Sequence, residues 1–178
     1  MDSASRARPV IGGLAVTAVA SAVIVAVWLL IGPGGFAFAW VTHFVLMAWV
    51  SVVLDARPGP LEHPWFRVRS WEPGCYRALG VGLFGWLLES TGWNRVVRRD
   101  RAFDGTRAGL VGLDRLTRSS ETGHLMCLGV AVIVAVAALW AGAWGGALWL
   151  VGLGVVLHVY PVMLQRSLRR RIQALNSC

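Results

Sequence analysis

Two ionisable residues, Glu121 and His124, lie near the start of a long apolar stretch, where polar side chains are costly unless they have partners. Residues three apart share one face of a helix, so the Glu121 carboxylate is predicted to lie beside the His124 imidazole and fix its tautomer. An unperturbed imidazole titrates near neutral pH and is suited to accepting a proton from a hydroxyl group. We therefore predict that His124 is a general base and that Glu121 orients it.

A second set of polar residues lies at the end of the last apolar stretch. His158, Gln165 and Arg169 are spaced so that they share one stripe of a helix, with Pro161 on the same side. Proline has no N–H, so it leaves a backbone carbonyl one turn earlier without its helical partner. Imidazole and amide groups can bind a polar substrate, and guanidinium groups are suited to phosphates. The predicted substrate-binding residues in this stretch are His158, Tyr160, Gln165, Arg166 and Arg169.

Each of these residues also has a simpler interpretation. Glu121 would interact favourably with a helix N-terminus, and His124 would then be an interfacial residue at the helix start. His43, alone at mid-depth in an apolar stretch, is better explained as bonding a neighbouring helix than as catalytic. The arginines that follow residue 165 also fit a stop-transfer anchor. The sequence leaves these alternatives open.

The composition is that of a membrane protein. The 178 residues are 56% hydrophobic and 15% charged, with a mean hydropathy of +0.61 and a net charge of +8. Apolar residues occur in blocks of about 20, the length a helix needs to cross a bilayer, which excludes an ordinary soluble domain. Three cysteines without a CxxC pattern argue against a disulfide scaffold or a structural zinc site. A single Glu-x-x-His is too little for a di-iron bundle, so no metal is expected.

Four stretches are predicted to cross the membrane in one all-α domain over residues 1–178. The connections within the first pair and within the second pair carry no charge, whereas both tails and the middle segment contain arginine. The positive-inside rule therefore predicts a multi-pass protein of the cell membrane with both termini and the middle segment in the cytoplasm. The predicted spans are residues 10–32, 35–54, 122–144 and 146–165.

The segment between the second and third spans, residues 55–121, is predicted to lie at the cytoplasmic surface. Residues 76–91 are apolar but too short to cross and contain three glycines, which favours an interfacial or re-entrant helix. The arginine-rich stretch after it is predicted to rest on anionic headgroups. Because the last two spans are antiparallel, we expect their polar residues to meet in a cleft at the cytoplasmic end of that hairpin.

The same residues belong to an ordered pattern in the second part of the chain. The pattern comprises Trp71-Glu72-x-Gly74-x-Tyr76, Gly80, Trp86, Glu121-Thr122-x-His124 and His158-x-Tyr160-Pro161-x-x-x-Gln165-Arg166-x-x-Arg169-x-Arg171. It covers roughly residues 66–173 and resembles the glycosyl-4,4'-diaponeurosporenoate acyltransferase family of small integral membrane proteins. The family usually has asparagine where His158 stands, Tyr-Asn where Ser167-Leu168 stand, and a Lys and a Pro after Trp86. Because of these departures, the substrate could differ from that of the family.

The resemblance implies transfer of a fatty acyl group to a sugar hydroxyl of a glycosylated C30 carotenoid, with a donor such as acyl-CoA as co-substrate and no cofactor. It adds Glu72, Tyr76 and Trp86 to the predicted substrate-binding residues. The expected partners are membrane lipid and a lipid-soluble glycosylated acceptor; no basic aromatic module predicts nucleic-acid binding. The alternative is a non-enzymatic four-helix accessory or lipid-binding protein. Transport is less favoured because the predicted spans contain no acidic residue.

Overall fold

The computed structural model describes residues 3–56, 61–92 and 106–176. Within these residues the chain is helical and contains no strand, which confirms the predicted all-α class. The elements are α1 (Ser3–Ile31), α2 (Phe36–Ala56), a 3-10 turn (Pro64–Phe66), α3 (Glu72–Ala78), α4 (Val81–Ser90), α5 (Arg107–Trp140), α6 (Trp144–Gly154), a π-helical segment (Val155–Val159) and α7 (Tyr160–Asn176).

Among the described residues, four helical stretches are long and apolar enough to cross a membrane. Their mean hydropathies lie between 1.9 and 2.7, and the stretches are Gly12–Ile31, Phe36–Leu54, Gly109–Trp140 and Trp144–Leu175. Large apolar side chains on them stay exposed; Leu29 and Leu30 in α1 are 76% and 82% exposed, as expected for contact with lipid. The predicted number of spans is confirmed, and the protein is a multi-pass membrane protein.

The boundaries of the last two spans differ from the prediction. Helix α5 begins at Arg107, about four turns before the predicted start at residue 122, and α7 continues to Asn176 rather than ending at 165. Hydropathy detects only the apolar part of a helix, whereas residues 107–121 form an amphipathic extension with Leu110, Leu113 and Thr117 buried on one face. We had predicted that Glu121 and His124 lie in the first turn of their helix. That prediction was wrong, because both residues lie inside the helix. The favourable interaction of Glu121 with a helix N-terminus does not apply.

The described residues form two compact units. One contains the described residues up to 56 together with 123–159, and the other contains those between 61 and 122 together with 160–176. The first unit has cores made largely of small side chains, which let helices pack closely in a membrane. Its buried residues include Phe38, Ala39, Ala135, Ala138, Ala147, Leu150, Leu46, Val50, Cys127 and Ala131.

The turn regions of the first unit also pack against each other. Gly145 and Gly146, at the start of α6, approach the backbone of the α1–α2 connection so closely that a Cβ on Gly146 would overlap the Pro33 carbonyl. Both connections contain a glycine in the left-handed region, Gly32 at φ 76° and Gly142 at φ 75°, which L residues rarely adopt. These glycines fix how the two helical hairpins end.

The second unit holds the segment between the second and third spans. Its apolar core cluster consists of the buried residues Leu110, Leu113 and Ile172, with Leu168 packed against them. The predicted interfacial helix over 76–91 is two short helices, α3 and α4, separated at Gly80, whose φ of 74° ends the first helix. Its position at the membrane surface stays a prediction. Residues 93–105, part of the arginine-rich stretch predicted to rest on headgroups, lie outside the described residues.

Candidate active site

The second unit contains a buried arginine–carboxylate cluster formed by Glu72, Glu121, Arg166 and Arg169. Arg166 makes a two-point contact with Glu72, its Nε donating to Oε2 at 2.8 Å and its Nη2 to Oε1 at 2.9 Å. Its Nη1 donates to Glu121 Oε1 at 2.7 Å. Paired N–H contacts to a carboxylate are the strongest geometry available to a guanidinium group. Arg166 thus joins α3, α5 and α7.

Arg169 completes the cluster from the next turn of α7. Its Nη1 donates to Glu121 Oε2 at 2.5 Å, and its Nε donates to the Thr117 hydroxyl at 3.1 Å. The Trp65 indole N–H donates to Glu121 Oε1 at 3.0 Å, so both oxygens of this carboxylate are occupied. Arg169 and Glu121 are both 0% exposed. Two cations and two anions balance, which satisfies the requirement that buried charges be paired.

Tyr76 adds a neutral hydrogen bond at the edge of the cluster. Its hydroxyl donates to Glu72 Oε2 at 2.6 Å, and the Arg69 backbone N–H donates to Oε1 at 2.9 Å. Burial raises the pKa of Glu72, but the hydrogen bonds from Arg166, Tyr76 and Arg69 outweigh it and lower the pKa to about 2. Burial and the neighbouring Glu72 carboxylate raise the pKa of Tyr76 to about 12. Glu72 is therefore an anion and Tyr76 a neutral donor at physiological pH.

The first unit contains a second polar group, the histidine chain, formed by His43, His124 and His158. His124 Nδ1 lies 3.2 Å from His158 Nδ1, and His158 Nε2 lies 2.9 Å from His43 Nδ1. At the far end, His43 Nε2 donates to the Leu150 carbonyl at 3.0 Å. His43 and His158 are both 0% exposed. Three imidazole rings from α2, α5 and the π-helical segment therefore form one hydrogen-bonded series.

The π-helical segment explains how His158 reaches this position. Pro161 has no N–H for the carbonyl of Leu157, and the backbone over Val155–Val159 widens to a π-helix, a form that is frequent at functional sites. The Leu157 carbonyl instead accepts a hydrogen bond from the His124 imidazole. The irregularity predicted from Pro161 is thus found beside His158.

The histidine chain does not have the geometry of a metal centre. His158 points its two ring nitrogens at different neighbours, so the three rings do not converge on one point. Among the described residues, no group of three histidine, cysteine, aspartate or glutamate side chains is arranged to hold a metal ion. The arrangement fits proton transfer better than ligation.

The predicted site residues are distributed as follows. The structure brings Glu72, Tyr76, Glu121, Arg166 and Arg169 together in one cluster, and His124 and His158 together in the histidine chain. Gln165 is buried at 8% exposure, the Tyr160 hydroxyl donates to the Leu79 carbonyl at 2.9 Å, and Trp86 is 61% exposed. Their predicted roles in substrate binding stay predictions.

Glu121 has different partners from those we expected. Its oxygens accept hydrogen bonds from Trp65, Arg166 and Arg169, and the ring nitrogen of His124 is directed at His158. A carboxylate so fully occupied by cationic donors serves the cluster. The residue within hydrogen-bond distance of the His124 ring is therefore His158 and not Glu121.

Comparison with known proteins identifies the family. The model of the glycosyl-4,4'-diaponeurosporenoate acyltransferase family matches residues 62–177 of this chain. The chain belongs to this family. No curated protein and no solved structure matches it. In this acyltransferase family member, the matched region includes the whole arginine–carboxylate cluster as well as His124 and His158, while His43 lies before it. The name of the family implies acyltransferase activity.

The prediction that His43 bonds a neighbouring helix is confirmed by its contacts with His158 and the Leu150 carbonyl, but the sequence pattern missed two other participants in these groups. His43 carried a signal, since an ionisable residue within a span needs a partner, but its partner on another helix is not visible from sequence. Thr117 lies four residues before Glu121 and therefore on the same helix face, which the late predicted start of α5 concealed. Trp65 lies in the segment predicted to be cytoplasmic, and nothing in its sequence context links it to Glu121.

Proposed function

We propose that this protein transfers a fatty acyl group from a donor such as acyl-CoA to a hydroxyl group of a glycosylated, lipid-soluble acceptor. The observation that carries the proposal is the His124 imidazole, held by a ring on another helical segment within the region matched by the acyltransferase family. The chemistry of that ring is what acyl transfer to an alcohol requires, because a hydroxyl group is a weak nucleophile until a base takes its proton.

In the proposed reaction, His124 accepts the proton of the acceptor hydroxyl as the oxygen attacks the acyl carbonyl. The carbon–oxygen bond forms and the carbonyl oxygen becomes an oxyanion. The carbon–sulfur bond of the donor then breaks, and the proton held by His124 passes to the departing thiolate. The products are the acylated acceptor and the free thiol of the donor. General base catalysis of this kind contributes about 10²–10⁴-fold to the rate.

Direct transfer is proposed because the cysteine nearest to His124 in sequence is unsuited to an acyl-enzyme. Cys127 is 0% exposed, and its Sγ–H donates to the Leu46 carbonyl at 3.3 Å. A buried, neutral thiol in an apolar core acts as a packing residue. The acceptor hydroxyl is therefore assigned the attacking role.

For donor binding, we propose that the exposed arginines on α7 contact the phosphates. Arg166 and Arg169 were predicted for this role, but their N–H groups are bonded to Glu72, Glu121 and Thr117. A phosphate would have to compete with buried carboxylates for them. Arg170 and Arg171 follow directly and are exposed. We assign the phosphate contacts to this exposed pair. Arg166 and Arg169 are assigned a structural role, in which they support the helix that carries the pair.

The distribution of charge supports a proposal for the side of the membrane. Arginine is concentrated in the tails and in the segment between the second and third spans, which favours the cytoplasm for these parts. We propose that the reaction takes place at the cytoplasmic leaflet, where a water-soluble thioester donor is available and a lipid-soluble acceptor can enter laterally.

The experiment that tests the function first compares the glycolipids of cells with and without the gene. The acyl-transfer activity of the purified protein is then measured. Wild-type protein should add an acylated glycolipid, and His124→Ala at equal abundance should lose about 10²–10⁴-fold in kcat. His63→Ala is the matched control, since His63 is exposed and lies outside the histidine chain. Unchanged lipids in the presence of folded wild-type protein would favour an accessory protein instead.

A further inference from the structure

The donor and acceptor roles of the hydrogen bonds in the histidine chain are set at its buried end. A carbonyl oxygen only accepts hydrogen bonds, so His43 must carry its proton on Nε2 to donate to Leu150. A neutral imidazole has one N–H, which leaves His43 Nδ1 as an acceptor. His158 Nε2, 2.9 Å away, must then be the donor of the second hydrogen bond.

The same reasoning fixes the next two rings. Because neutral His158 has its proton on Nε2, its Nδ1 accepts, and the donor at 3.2 Å must be His124 Nδ1. Neutral His124 is left with its lone pair on Nε2. The carbonyl of Leu150 thus determines, through two intervening rings, which nitrogen of His124 is a base.

We propose that His158 and His43 are positioning residues that hold His124 as the tautomer with an unprotonated Nε2, and that the chain shares the proton which His124 takes up. This inference rests on the proposed function, because it identifies the base of that reaction. Neither positioning residue touches the substrate.

The chain also provides for the charge that forms when His124 Nε2 takes a proton. The Nδ1 proton of His124 can move to His158 Nδ1, and the Nε2 proton of His158 to His43 Nδ1. His43 then carries two N–H groups, and its Nε2–H remains on the Leu150 carbonyl. His124 and His158 each give up one proton as they receive one, and His43 holds the additional proton. The reverse shift returns a proton to His124 Nδ1, and His124 can then release its Nε2 proton to the leaving group. His43 and His158 are buried, so this relay needs no water.

The first test reads the tautomers directly and needs no substrate. Nitrogen-15 NMR of histidine-labelled full-length protein in lipid nanodiscs should show His124 protonated on Nδ1, and His43 and His158 protonated on Nε2. Single substitutions of each histidine assign the signals, and exposed His63 serves as the internal reference. A His124 protonated on Nε2, alone or together with Nδ1, at neutral pH would overturn the proposal.

The second test is kinetic and uses three variants on α2. His43→Ala removes the acceptor for His158 and should lower kcat about 10–100-fold with little change in the KM of either substrate, the size of effect known for residues that orient metal-binding histidines. His43→Asn places a carbonyl oxygen near the former Nδ1 and should restore most of the loss. Phe44→Leu, the exposed next residue, should match wild type.

The two proposals fail in different ways. Wild-type kcat in His43→Ala, in protein that shows acyl transfer, would overturn the positioning role and leave the function intact. The expected tautomers in a wild-type protein without acyl transfer would remove the function and the catalytic use of the chain, while the fixed tautomer of His124 would stand.

Discussion

Arg166 is a residue whose charge is matched twice. Its Nε and Nη2 bind Glu72 and its Nη1 binds Glu121, and all three side chains are buried. A buried ion pair adds little stability relative to apolar side chains, but loss of one partner leaves an unpaired buried charge. Arg166 is therefore required by the fold, whatever else it contacts.

Substitution of Arg166 should be detected first as a loss of stability. Arg166→Ala leaves Glu72 without its two-point partner, and we expect the free energy of unfolding to fall by about 3–5 kcal/mol. Thermal unfolding in nanodiscs measures this effect. Arg170→Ala, on an exposed neighbour, should change stability by less than about 0.5 kcal/mol and instead raise the donor KM. A stable Arg166→Ala protein with only a raised donor KM would restore the phosphate-binding role to Arg166.

Glu72 should make stability depend on acid pH. Its pKa falls from 4.5 to about 2 in the folded protein, so the unfolded chain binds the proton at a higher pH than the folded one. The stability that Glu72 contributes is present above pH 4.5 and is lost as the pH falls from there toward 2. The midpoint of thermal unfolding should fall more steeply with decreasing pH in wild type than in Glu72→Gln. Equal slopes would show that Arg166 does not hold Glu72 ionised.

The helices illustrate what local pattern can and cannot predict. The predicted spans over 10–32 and 35–54 agree closely with the apolar parts of α1 and α2, because hydropathy and length decide them. The start of α5 was predicted late, since its first four turns are amphipathic and contain arginine. Such a segment becomes helical by packing its apolar face on other parts of the chain, and that partner surface is not encoded in the segment itself.

The close packing of the start of α6 against the α1–α2 connection gives a prediction about stability. A Cβ on Gly146 would overlap the Pro33 carbonyl, and backbone cannot move aside as a flexible side chain can. We expect Gly146→Ala to lower the free energy of unfolding by about 1–3 kcal/mol. The control is Gly152→Ala in the same helix, where a Cβ meets nothing within 4 Å and alanine is the better helix former. Equal stability of the two variants would contradict the close approach.

For the whole molecule, the sequence predicted which polar residues need partners but not which partners they have. Glu72, Glu121, His124, His158, Arg166 and Arg169 were selected by cost of burial or by family pattern, and each is hydrogen-bonded in the structure. The pairing depends on contacts between distant parts of the chain; His43 and His158 are 115 positions apart. Local spacing favoured Glu121 as the partner of His124, whereas the fold gives Glu121 two arginines. Proximity in sequence is a weak guide when a stronger partner is brought in by tertiary structure.

The orientation in the membrane gives a prediction for the entire chain that its own cysteine can test. Cys75 is exposed and Cys127 is buried, so a protein carrying Cys178→Ser has one reactive thiol among the described residues. If the segment between the second and third spans is cytoplasmic, a membrane-impermeant maleimide should label Cys75 in inverted vesicles and leave it unlabelled in intact cells. The matched control moves the thiol to the α5–α6 turn by Cys75→Ser and Ala141→Cys, which should reverse the pattern because residue 141 is exposed in an uncharged connection. Labelling of Cys75 in intact cells would put α3 on the outer face, where a cytoplasmic acyl-CoA cannot reach, and the donor assignment would have to change with it.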